Sequence, residues 1–173
     1  KKVKKIEIKS SNGTDVVLEI GDYVLDIDEG LYHEPGNFGN LPAGEVCTSP
    51  NDFSVNGKIV VDKMGKYGEK IIFEVKEGFV EVVSGSKELI NEIDKLGSKA
   101  RMIAEFGIGT NPKAKIIGNV LEDEKVFGTV HIAIGNNMSF GGKNDVQFHQ
   151  DGIIVKPTLL ADENVIIREG SWI

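Results

Sequence analysis

The stretch NGKIVVDKMGKYGEKIIFEVKEGFVEVVSG, Asn56 to Gly85, decides the fold. It holds three runs at hairpin spacing, NGKIVVDK, EKIIFEVKEG and FVEVVSG, each rich in Ile and Val. β-Branched residues suit a pleated, half-buried surface, and spacing this short joins neighbouring antiparallel strands. Three hairpin-linked strands are expected here.

Toward the N-terminus the same grammar continues. Val3, Ile6 and Ile8 lead into SSNGTD, a turn carrying the Asn12–Gly13 pair, and Val16 to Ile20 reads as the return strand. The lysines of KKVKKIEIK suggest an edge strand with a charged outer face. The intervening LYHEPGNFGNLPAGEV has too many Gly, Pro and Asn residues for a regular element, and reads as a long loop that delivers Gly44 to Val46.

Toward the C-terminus the period changes. In SKELINEIDKLG, Leu89, Ile90, Ile93 and Leu96 share one helical face. Ser86 can cap its start, Glu88 sits in the first turn, and Gly97 suits the position just past the end. RMIAEF, GTVHIAIG and VQFHQDGIIVKP read as strands, and TLLADENVII as a hairpin over ADEN. Simple alternation puts Ile103 and Glu105 on one side of RMIAEF, and His131 with Ala133 opposite Val130, Ile132 and Ile134. GIGTNP reads as a turn and Val120 to Lys125 as a short helix. The expected class is α+β: β-rich mixed sheets with one main helix.

A length of 173 residues suits a single domain. A net charge of −7 argues against a nucleic-acid partner, which needs a basic face to displace counterions. The lone Cys47 cannot form an internal disulfide and fits a reducing, cytoplasmic setting. No apolar run reaches the roughly 18 residues of a membrane span. KKVKKIEIK lacks the apolar run of a signal peptide, and the chain starts without Met.

The chemistry-bearing residues are polar groups inside otherwise apolar segments. FHQDG places His149 and Asp151 on one face of a strand. Alone this pair reads more simply as an Asp capping the turn at Gly152 beside a polar surface His. His131 interrupts VHIAIG, Glu105 interrupts IAEFG, and Glu45 follows the long loop in GEV. Buried, unpaired polar groups are costly. One or two divalent ions would account for all five residues together, and imidazole with carboxylate suits Zn²⁺, Mn²⁺, Co²⁺ or Fe²⁺. The metal site is therefore expected on strand faces.

NLPAGEV, AEFGIGTNP, NVLEDEKVFGTVHIAIGNN and FHQDG together resemble the C-terminal region of the thermophilic metallo-aminopeptidase family, the aminopeptidase T group, from roughly Gly30 to Pro157. The resemblance implies that residues 1–173 are the C-terminal metal-binding domain of a longer two-domain protein that forms a homodimer. It implies a hydrolase that releases N-terminal residues from peptide substrates with one or two Zn, Co or Mn ions. Its ligands correspond to Glu45, Glu105, His131, His149 and Asp151, with Glu45 or Glu105 as the general base. The loop GNNMSFGG lacks the Tyr that the family's peptidases carry after the strand His, and offers Asn136, Asn137 and Ser139 instead. A branch of the same superfamily uses a related site with a single Fe(II) to open dihydroxypyridine rings. That ring-opening oxygenase is the alternative reading, beside a binding domain with a degenerate site. Other polar residues have simpler readings: Cys47 as a small core residue, His33 as a solvated loop histidine, and Asp123 with Glu124 as a solvated helix face.

Overall fold

The computed structural model describes residues 2–173. In chain order the strands are β1 (Lys5–Lys9), β2 (Asp15–Glu19), β3 (Asp26–Asp28), β4 (Glu45–Thr48), β5 (Asn56–Lys63), β6 (Glu69–Lys76), β7 (Phe79–Ser84), β8 (Ile103–Gly109), β9 (Val130–Gly135), β10 (His149–Ile154), β11 (Thr158–Ala161), β12 (Asn164–Arg168) and β13 (Ser171–Trp172). They join in one sheet ordered β13-β12-β11-β1-β2-β5-β10-β9-β8-β4-β3, with β6 and β7 branching from β5. Every strand pairing is antiparallel.

This corrects the expected α+β class with mixed sheets. Among the described residues, helix amounts to α1 (Lys87–Leu96), the single turn α2 (Val120–Asp123) and three short 3-10 turns. The hairpin-length breaks between Ile/Val runs leave no room for the crossover helices that parallel strands need. Helix α1 behaves as its sequence suggests. The Ser86 hydroxyl accepts from Leu89 N at 3.2 Å, and Gly97 takes φ 81° at the C-cap while its N–H bonds Ile93 O. Leu89 and Ile93 are fully buried, whereas Leu96 is exposed. Each buried side chain contributes roughly 1.5–3 kcal/mol.

Two further expectations are revised. Strand β1 pairs with β2 on one side and β11 on the other, so it is not an edge. Its Ile6 and Ile8 are buried while Lys5 and Lys9 stay exposed. The GIG of GIGTNP belongs to β8 instead of a turn. The β8–β9 pairing also shifts: Ile103 opposes Ile134 while Glu105 opposes Ala133. Ala104 is therefore a bulge, one residue in excess on β8. Ile103 joins the hydrophobic core, so it does not share a face with Glu105. No helix among the described residues is long and apolar enough to cross a membrane.

Candidate metal centre

Strand register assembles the patch. On β10 and β9, His149 opposes Gly135, Asp151 opposes Ala133 and Ile153 opposes His131. On β9 and β8, Ala133 opposes Glu105 and His131 opposes Gly107. On β8 and β4, Gly107 opposes Cys47 and Gly109 opposes Glu45. Directly opposed residues share a face. All five candidates thus lie on one face, with Gly107, Gly109, Ala133 and Gly135 between them. These small residues leave the ligands space. At Gly107 an added Cβ would lie 2.0 Å from His131 Nε2, so the ring needs a glycine there. Phe106, Val130, Ile132, Ile134 and Ile154 belong to the hydrophobic core.

The ligand atoms form two overlapping trios, each within 4.8 Å: Glu45, Glu105 and His131, then Glu105, His149 and Asp151. Glu105 is common to both. Its Oε1 is 3.3 Å from His131 Nε2 and its Oε2 is 3.0 Å from His149 Nε2. His131 Nε2 also lies 3.3 Å from Glu45 Oε2, and His149 Nε2 lies 3.7 Å from Asp151 Oδ1. His131 is fully buried, while the His149 side chain is 33% exposed, so solvent reaches the cluster at the His149 end. His149 Nδ1 lies 2.8 Å from Asn136 O. A carbonyl only accepts, so Nδ1 carries the hydrogen and a neutral ring turns its Nε2 lone pair to the cluster.

The electrostatics favour a cation. Burial would raise the Glu105 carboxyl, but hydrogen bonds from His131 and His149 outweigh it and hold the group well below the usual carboxylate range. Burial works against charging His131, yet Glu105 and Glu45 push it up to about 9. His149 is likewise pushed up to about 11, with Asp151 and Glu105 overcoming burial. Carboxylates that draw protons onto imidazoles this strongly offer positive charge a favourable place. Glu45 Oε2 and His131 Nδ1 are buried without a hydrogen-bond partner. Glu45 Oε2 belongs to the inner trio, where a cation would satisfy it. Imidazole nitrogens and carboxylate oxygens at this spacing fit a divalent first-row metal.

Asp123 and Glu124 do not form a solvated helix face. They are 2% and 7% exposed, and Lys125 is 1% exposed. The Asp123 carboxylate accepts from the backbone N–H groups of Ile117 and Gly118. Lys125 Nζ lies 2.5 Å from Glu45 Oε1 and 2.5 Å from Glu124 Oε1. Burial pushes Glu124 up to about 7. Burial acts against the Lys125 ammonium, but Glu124 and Glu45 more than compensate and raise it. Sequence reasoning missed this pair. Its one visible signal was an acidic-basic cluster just ahead of the strand bearing His131.

The remaining candidates fall into place. Cys47 is buried, and burial pushes its thiol far up. His33 is exposed on the long loop. Asn137 is buried and braces its own loop through Ser49 Oγ and Asn144 N. Asn136 supplies the carbonyl for His149, and Ser139 is exposed.

Comparison with known proteins decides between the readings. The family model described as NicX: 2,5-dihydroxypyridine 5,6-dioxygenase matches residues 1–173. The chain belongs to this family. A curated 2,5-dihydroxypyridine 5,6-dioxygenase from Pseudomonas putida KT2440 is 24% identical over 190 residues, covering 98% of this chain and 54% of that protein. The solved structure of the 2,5-dihydroxypyridine dioxygenase from the same strain superposes with a TM-score of 0.87 at 21% identity, over 100% of this chain and 56% of that one. Wild-type AmpT from Thermus thermophilus superposes with a TM-score of 0.75 at 22% identity, over 99% of this chain and 50% of that one. The chain thus spans about half the length of the relatives it matches.

The aminopeptidase T resemblance holds at the level of the fold. The aminopeptidase reading itself is overturned, together with the hydrolase and protease class, because the whole-length family match and the curated relative are dioxygenases. The general-base roles given to Glu45 and Glu105 belonged to that hydrolysis. Membership of the 2,5-dihydroxypyridine 5,6-dioxygenase family implies a metal, and the Glu105-centred cluster is where this chain has the donors for one.

Proposed function

We propose that this chain carries the metal centre of a ring-opening dioxygenase acting on a dihydroxylated pyridine. The observation that carries the reading is the cluster of two imidazoles and neighbouring carboxylates, in a chain matched end to end by the dioxygenase family. Two histidines and a carboxylate are the donor set of non-haem Fe(II) oxygenases. His131, His149, Asp151 and Glu105 would hold the ion. Bound iron would supply the one-electron redox chemistry through which dioxygen reacts with an electron-rich ring.

The chain's own residues prepare for that chemistry. The Asn136 carbonyl takes the Nδ1 hydrogen of His149 and so holds the ring with Nε2 toward the cluster. Gly107 and Ala133 keep side-chain bulk away from the ligands. A cleft of about 390 Å³ is lined by Ile27, Leu31, Tyr32, Phe38 and Glu45, among others. That volume suits a single aromatic ring with its hydroxyls. Tyr32 offers an aromatic face to the ring, Asp26, Asp28 and Glu29 offer acceptors for its hydroxyls, and Glu45 joins the cleft to the cluster.

The test is oxygen uptake by the full-length protein, reconstituted anaerobically with Fe²⁺, on adding 2,5-dihydroxypyridine. The expected outcome is stoichiometric oxygen consumption with loss of the ring's ultraviolet absorbance. Iron-loaded protein that leaves the ring intact would sink the proposal.

A further inference from the structure

The His149 ring is held by a carbonyl that lies outside the cluster, Asn136 O. That carbonyl belongs to the peptide unit between Asn136 and Asn137. A peptide unit is planar and trans, so its C=O and N–H point opposite ways. The N–H of this unit, on Asn137, bonds Asn144 O at 3.2 Å, while the C=O meets His149 Nδ1 at 2.8 Å. The Asn137 side chain returns to the same partner, its Oδ1 accepting from Asn144 N at 2.9 Å. A backbone N–H only donates, so Oδ1 faces Asn144 and Nδ2 is left to donate to Ser49 Oγ at 3.2 Å. Asn137 is fully buried, and a Cβ added at Gly142 would lie 2.0 Å from its Oδ1, so the loop is built around this amide.

We propose that Asn137 is a positioning residue for His149: its amide clamps the β9–β10 loop to Asn144 and Ser49, and so keeps the Asn136 carbonyl on the His149 ring. This rests on the reading above that the cluster binds a metal. The clamp reaches every strand that carries a candidate ligand. Ser49 directly follows β4, which begins at Glu45. Asn144 Nδ2 donates to Gly135 O at the end of β9 and to Lys99 O ahead of β8. Asn136 N bonds Phe148 O at 2.7 Å, beside His149 at the start of β10. His149 needs such a hold more than His131 does. The His131 ring is fully buried and confined by its neighbours, whereas the His149 side chain is 33% exposed, so packing alone does not fix it. Without the Asn137 amide, the Asn144 N–H loses its acceptor in a buried place, which is costly. A loop that shifts to satisfy it carries the Asn136 carbonyl away from His149.

The experiment follows the His149 ring hydrogen. Full-length protein with isotope-labelled histidine is loaded with Zn²⁺, a diamagnetic probe, and the His149 Nδ1–H is read by nuclear magnetic resonance. Zn²⁺ affinity is measured beside it by chelator competition. Wild type is expected to show a slowly exchanging Nδ1–H. Asn137→Ala should lose that protection and bind Zn²⁺ roughly 10–100-fold more weakly. Ile132→Ala, destabilised from the opposite, packed face, should keep both. Equal losses in Ile132→Ala would mean that instability alone frees the ring, and would overturn the proposal. A folded Asn137→Ala with the hydrogen still protected overturns it too. If Asn137→Ala does not fold, Ser49→Ala decides in its place, since it removes only the acceptor of Nδ2. A smaller shift in the same direction is then expected, and no shift overturns the proposal. Wild type that binds no Zn²⁺ defeats the metal reading itself, a result distinct from a ring hydrogen that stays in place.

Discussion

The two faces of β8, β9 and β10 are built by opposite rules. One face carries Phe106, Ile132, Ile134 and Ile154, all in the main core. The other carries Glu105, His131, His149 and Asp151 among Gly107, Ala133 and Gly135. The first is filled by volume and owes its stability to transfer from water and close packing. The second is kept open by small residues and organised by charge. The same three strands serve both, since alternate residues of a strand answer to different neighbours. Stability and metal binding should therefore respond to separate substitutions.

The largest effect should come from the packed face. Ile132→Ala should lower unfolding free energy by about 2–5 kcal/mol, read as a fall in denaturant midpoint. Protein still folded should bind metal as before, and a matching loss of metal affinity would dissolve the separation between faces. On the open face, Glu105→Gln removes the carboxylate common to both trios. Metal affinity should drop by about 100-fold or more, equivalent to about 2.7 kcal/mol, while the apoprotein keeps its fold by circular dichroism. Unchanged metal binding would show that Glu105 is no ligand. Gly107→Ala sharpens the comparison by adding bulk where none is allowed. Displacement of the His131 ring should cost about 1–3 kcal/mol and weaken metal binding at the same time. A Gly107→Ala protein with normal affinity and melting temperature would mean the ring has another place to go.

Much of this was legible in the sequence. The Ile/Val runs at hairpin spacing located the three strands between Asn56 and Ser84, running past the ends of β6 and β7 by one or two residues. The five polar residues set in apolar segments do converge. What the sequence hid was tertiary. The charged run LEDEK looks solvated because local pattern says only that its residues are hydrophilic. It is buried because α2 stops at Asp123 and the chain then turns Lys125 toward Glu45. The β1 lysines suggested an edge, but β11 comes from some 150 residues later and no local signal announces it. The choice between hydrolysis and ring opening could not be read from the fold, because AmpT and the 2,5-dihydroxypyridine dioxygenase both superpose on this chain.

The bulge at Ala104 carries a consequence for anyone recombining this protein. It resets the in-out parity of β8, so Ile103 and Glu105 face opposite ways although they are two residues apart. A segment exchanged into β8 must be counted from Glu105 onward, and aligned by facing instead of by position. A donor strand of the same length that pairs regularly through position 104 would send a carboxylate into the core and a hydrophobic side chain into the metal cluster.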